Sequence, residues 1–133
     1  MLTEGDIANF IYTKSKGFGI ANVWQWGNIP NGEVNAERVT VQVKPMQEDV
    51  VWFSGFAEIN VLFPNIEHTE YAPLIRMNEV EHIARQLFDK NVEKVEDDWL
   101  RYEIDTLNRD WDAQLHCYYI NVHLRIEVLN INN

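Results

Sequence analysis

Cysteine is nearly missing: Cys117 is the single one in 133 residues. A disulfide within the chain is therefore excluded, and so is a multi-cysteine zinc site. Cys117 itself is expected to be a small buried hydrophobe rather than a nucleophile. Glycine and proline are scarce, at six and four, so no low-complexity linker divides the chain and one domain spanning 1–133 is expected. No apolar run reaches the ~18 residues that a membrane span needs. The opening Met-Leu-Thr-Glu lacks the basic and apolar regions of a signal peptide. An intracellular protein is expected on both counts. Basic residues are few, 11 against 21 acidic, for a net charge of −10. They are also scattered, with Lys14 and Lys16 the only tight pair. Counterion-release binding needs clustered Lys and Arg, so specific nucleic-acid binding is not expected.

What is present is globular in composition. The hydrophobic share of 46% can build a core without staples. Thr3 stands as an N-cap with Asp6 in capping-box position, and Leu2 and Ile7 occupy the staple positions around it. Ile7, Phe10 and Ile11 then share one helical face, and Gly17 and Gly19 are expected to end the helix. Residues 20–35 read as a long loop or hairpin tip rich in turn formers, with a short strand at 23–26 carrying Trp24 and Trp26. Residues 37–44 alternate as a half-buried strand, with Val39, Val41 and Val43 inward. In 51–63 the inward set is Val51, Phe53, Ala57, Ile59, Val61 and Phe63. Gly55 is predicted to mark a bulge there, and Pro64-Asn65 a stop. Pro73 is predicted as the first residue of a long amphipathic helix with Leu74, Met77, Val80, Ala84, Leu87 and Phe88 on its core side. Residues 99–105 read as a strand, with Leu100, Tyr102 and Ile104 inward. Residues 106–114 read as a polar loop around Trp111. The cleanest strand is 118–129, with Tyr118, Ile120, Val122, Leu124, Ile126 and Val128 inward and Asn121, His123, Arg125 and Glu127 opposite. The order of elements predicts an α+β fold: a mainly antiparallel sheet with one long amphipathic helix and a short N-terminal helix packed on one face.

Chemistry-bearing patterns are thin. Gly17-Phe18-Gly19 lacks the Lys and the following helix of a phosphate loop. None of His68, His82, His116 and His123 has another at i, i+4, the spacing of a helical metal pair. His82 is expected on the polar side of the long helix and His123 on the wet side of the last strand. His116 and Cys117 are adjacent, so strand geometry turns them to opposite faces. No catalytic residue, metal or cofactor is expected. Residues 89–112 carry nine acids against four bases. Their densest run, Glu96-Asp97-Asp98, reads as a solvated face or as a localised negative surface without a calcium-loop pattern. Trp24, Trp26, Trp52 and Phe56 are candidate partner contacts wherever their side chains are exposed.

In the order of these elements the chain resembles the small tail-terminator and tail-completion (head–tail joining) proteins of long-tailed bacteriophages. The resemblance is of pattern and length across nearly the whole chain. It rests on a helix over 3–14, a variable loop over 24–35, strands at 38–43 and 57–63 with Pro64-Asn65, a helix over 73–88, and closing strands at 100–104 and 118–129. It implies a structural virion assembly protein of a phage or prophage, without enzymatic activity. Such a protein forms a ring, commonly a hexamer, that caps the tail tube and meets the head connector. It is assembled in the bacterial host cytoplasm and carried in the virion tail. Six copies would carry 6 × (−10) = −60 formal charges. Glu96, Asp97 and Asp98 would then face the lumen and keep passing DNA from sticking. Beside this stand a small-ligand-binding or regulatory α+β module of a bacterial cell and, last, an enzyme with a dispersed site such as His68 or His82 with Glu58.

Overall fold

The computed structural model describes residues 2–30, 32–48, 52–65 and 71–129. Helix α1 spans Glu4–Ser15 and begins with the expected capping box. The Thr3 hydroxyl accepts from the Asp6 amide at 3.1 Å, and the Asp6 carboxylate accepts from the Thr3 amide at 2.9 Å. The staple residues Leu2 and Ile7 are both buried. A 3-10 turn over Lys16–Phe18 tightens the end, and Gly19 closes it at φ 74°, where a side chain would be strained.

The strands follow as β1 (Asn22–Gln25), β2 (Arg38–Val43), β3 (Gln47–Glu48), β4 (Trp52–Phe63), β5 (Asn91–Val95), β6 (Asp98–Asp112) and β7 (Cys117–Leu129). Helix α2 (Leu74–Phe88) lies between β4 and β5. The sheet order is β1-β2-β4-β7-β6-β5, with β3 also on β4. Among the described residues, five of the six strand pairs are antiparallel, and β1 with β2 is parallel. The fold is thus α+β, with a mixed, curled sheet and two helices. The curl brings both ends of the sheet to α1: Asn9 accepts from Gln25 of β1 at 2.7 Å, and Lys14 reaches Glu93 of β5 at 3.4 Å.

One core fills the space between sheet and helices. Ile7 and Ile11 of α1 and Met77, Val80, Ala84 and Phe88 of α2 meet Val39, Val41, Ala57, Ile59, Val61, Phe63 and the even residues 120–128 of β7. Phe88 packs between Phe18 and Tyr102, with ring centroids at 6.1 and 6.3 Å. The 26–37 connection crosses the other face, where Val34 covers Leu62 and Cys117 in a small second cluster.

Several expectations are corrected. Pro73 caps α2 from outside, and Leu74, predicted on its core side, is exposed together with Ile75. Gly55 is not a bulge, since β4 and β7 pair in unbroken register from Trp52↔Leu129 to Phe63↔Tyr118. A Cβ on Gly55 would instead meet Met46 at 2.9 Å, so the glycine makes room for the strand connection that crosses it. The bulge lies in β6, between Ile104 and Thr106. Beyond it the strand runs on to Asp112 through residues expected to form a loop. Residues 91–95, for which no strand was expected, form β5. Of the predicted inward set on β4, Val51 and the Phe53 side chain lie outside the described residues.

Candidate functional site

The outer face of the sheet is a lattice of paired charges. Each strand there presents alternate polar side chains, and neighbouring strands bring opposite signs together. Lys44 faces Glu58 at 3.6 Å, Arg101 meets Glu127 at 2.6 Å, and Arg125 bridges Glu103 at 3.1 Å and Asp105 at 2.9 Å. His123 lies 3.4 Å from Asp105 and stacks on Phe56 with ring centroids at 4.7 Å. Phe56 is therefore exposed on one side and seated on the other.

These pairings break up the acidic stretch 89–112. Glu103 and Asp105 are neutralised from β7, and Glu93 from α1. Asp112 turns inward to accept from the Leu115 amide at 2.9 Å, tying the β6–β7 turn. Asp98 is buried, with its carboxylate 2.9 Å from the Leu2 amide, so it anchors the chain start and is not part of an exposed acidic surface. Glu96 and Asp97 stay exposed in the β5–β6 turn, where Glu96 adopts a left-handed φ of 56°.

The candidate aromatics divide in the same way. Trp26 is 69% exposed and Trp24 half-buried, both beside the free side of β1. Trp52 pairs with Leu129 in the sheet, but its side chain lies outside the described residues. Sequence reasoning missed a second apolar patch, in which Tyr71 and Ile75 are 85% and 82% exposed with Leu74 between them. Its signal was present: Leu74 and Ile75 are adjacent, so one helix face cannot hold both centrally. Close by, the Arg76 guanidinium clamps the Glu37 carboxylate at 2.6 and 2.8 Å and also reaches Glu79. These carboxylates hold Arg76 above its usual range.

Between α1 and β1 lies an open groove of about 790 Å³, lined by Asn9, Tyr12, Val23, Trp24, Gln25 and Asn28. None of its lining residues is charged. A smaller depression of about 240 Å³ lies among Lys90, Arg101, Glu103, Arg125 and Glu127, whose charges largely satisfy one another.

Among the described residues, chemistry-bearing groups do not converge: no three of His, Cys, Asp and Glu could hold a metal ion. His82 is exposed on α2, while Glu58 pairs with Lys44; His68 lies outside the described residues. Cys117 is buried, and burial pushes its thiol up to about 11. No helix among the described residues is long and apolar enough to cross a membrane.

No protein-family pattern matches this sequence. No curated protein is similar to it in sequence. Solved structures are similar in fold. A chain of the virion of a native gene transfer agent particle matches with a TM-score of 0.63 at 10% identity, over 94% of each chain. A second solved chain matches with a TM-score of 0.64 at 12% identity, over 100% of each chain. The fold of this chain is therefore shared, over 94% of its length, with a chain of a gene transfer agent virion.

Proposed function

We propose that this chain is a structural subunit of a phage or phage-like particle. In this reading it acts at the end of the tail, as a tail terminator or head–tail joining protein that assembles as a ring, and it is not an enzyme. The observation that carries the reading is the whole-chain likeness to a chain of a gene transfer agent virion. Two features of the molecule support it. Apolar side chains that a monomer gains nothing by exposing, Trp26, Tyr71, Leu74 and Ile75, are held out to solvent. The charged groups of the sheet surface are spent on one another rather than gathered around a reacting centre. A ring subunit needs such contact surfaces, placed so that a head-to-tail contact closes. Its partners would be further copies of itself, a tail-tube protein and a head connector.

The lumen hypothesis narrows to Glu96 and Asp97, because Asp98 is an internal anchor. Charge reversal at Glu96 and Asp97 should leave assembly intact and slow DNA delivery, whereas reversal at Asp98 should compromise folding. The small-ligand module gains no support from the core, where Phe63, Met77, Phe88 and Tyr102 fill the space beneath the helices.

The test is native mass spectrometry of the purified protein, with electron microscopy of any oligomer. A closed ring of defined copy number supports the proposal. A protein that stays monomeric alone and with the products of neighbouring capsid and tail genes overturns it.

A further inference from the structure

We propose that the free side of β1 receives the distal half of β6 from a second copy of this chain, joining the two sheets edge to edge. The inference rests on the assembly reading above and specifies its contact.

The two ends of the sheet are finished differently. Strand β5 ends one side and carries Glu93 and Lys94, charges of the kind that discourage edge pairing. Strand β1 ends the other side and reads Asn-Val-Trp-Gln, with no charge and no proline. Among the described residues β1 has a strand neighbour on one side only. The Trp26 amide turns inward to the Val41 carbonyl at 2.8 Å. Strand alternation then turns the main-chain groups of Val23 and the Gln25 amide to the open side. They line an uncharged groove wide enough for a chain segment, floored by α1 through Asn9 and Tyr12.

The matching element is in the same molecule. Among the described residues, β5 covers β6 only as far as Tyr102, so the stretch Asp105–Asp112 has β7 on one side and no strand on the other. The bulge at Asp105 marks where that free edge starts. The free edges of β1 and distal β6 are separated by β2, β4 and β7, so their contact is heterologous and propagates from copy to copy as a ring requires. Charge selects the same pairing. A chain of net charge −10 resists a second copy over most of its surface. The groove is an exception: no acid lines it, and Lys16 stands at its rim, 4.8 Å from the Tyr12 ring. Distal β6 presents Asp110, which is exposed.

Cross-linking tests the contact. Gln25→Cys protein is mixed with Thr106→Cys, Asn108→Cys or Asp110→Cys protein and oxidised gently, the native Cys117 being buried and slow to react. Disulfide pairing requires Cα atoms within ~7 Å, so one of the three mixtures should cross-link strongly, and Gln25→Cys alone should not. As a second measurement, Lys16→Glu should weaken self-association at least tenfold, and adding Asp110→Lys should restore it. An oligomer that cross-links through Gln25 to itself or in none of the mixtures, or that ignores Lys16→Glu, overturns this contact and leaves the assembly reading standing. A chain monomeric at every concentration and with its particle partners overturns both.

Discussion

Gly55→Ala separates two accounts of one residue. In a strand interior glycine is usually a weakness, and replacing it at a compatible site stabilises by about 0.4–1 kcal/mol through the unfolded state. Gly55 has ordinary strand pairing opposite Ile126 and no unusual φ, so backbone conformation alone favours the alanine. The space does not. The new Cβ would lie 2.9 Å from Met46 Cγ and 3.2 Å from Met46 Cα. The first contact yields to rotation of a flexible side chain, but the second is backbone and yields only if the β2–β3 connection lifts. That connection is held from the other side, because the Met46 amide donates to Glu4 of α1 at 2.9 Å. Overpacking of this kind costs about 1–3 kcal/mol. Set against the entropic gain, the net expectation is destabilisation by about 1 kcal/mol. With a urea m-value of about 1–3 kcal/mol/M, the midpoint should fall by roughly 0.3–1 M with the slope unchanged. Hydrogen exchange at the Met46 amide should accelerate more than at core amides of β7. Adding Met46→Ala should recover part of the loss, since it removes the nearest contact and leaves the backbone one. A midpoint that rises in Gly55→Ala would refute the close-approach argument.

Thr3→Ala should cost about 1 kcal/mol in thermal unfolding, the usual worth of an N-cap. The Asp6 half of the box is pH-dependent: its carboxyl is held below the ordinary value of 3.8 by the Thr3 hydrogen bonds. Its contribution is present above that value and lost as pH falls through the lower folded one, so Asp6→Asn and wild type should converge in stability at acid pH. For Cys117, a thiol pushed up to about 11 should react with a disulfide reagent at pH 8 about two orders of magnitude more slowly than a free thiol; rapid labelling of the folded protein would contradict its burial. A double-mutant cycle across Glu37 and Arg76 should show coupling of about 1 kcal/mol, because the bidentate pair is partly exposed; coupling near zero would mean that it does not tether α2 to the start of β2.

What the sequence made legible follows from which signals are local. The α1 capping box needs only Thr3 and Asp6, three residues apart, and it formed as expected. Alternation in β7 holds from Ile120 to Leu129 and identified the buried face there, while Tyr118, expected inward, is half-buried and Cys117 is buried on the other face. Strand β6 defeated the same method for a physical reason. Before its bulge the even residues Leu100 and Tyr102 face the core; after it the pairings Leu107↔Val122 and Trp111↔Tyr118 put odd residues on that face. One extra residue reverses the parity, so a single period-2 pattern necessarily stops at Asp105 and leaves the remainder looking like a polar loop. Arg109 strengthened that impression, yet it faces the helix side, where the Glu81 carboxylate of α2 meets it.

The acidic stretch 89–112 divides in the fold for a related reason. Charge counted along the chain assumes that neighbours in sequence share a surface, and a sheet distributes them instead. Asp98 goes inward to the Leu2 amide, Glu93 to Lys14, Glu103 and Asp105 to Arg125, and Glu96 and Asp97 remain in a turn. The partners come from as far as 96 residues away, at the chain start. The same logic explains the groove beside β1. Its uncharged character arises because α1 brings Asn9 and Tyr12 to a strand that has no charge of its own. In a chain of net charge −10, an unblunted edge floored in this way is where a strand from outside meets the least repulsion. The feature on which the proposed contact rests is therefore one that only the tertiary fold creates.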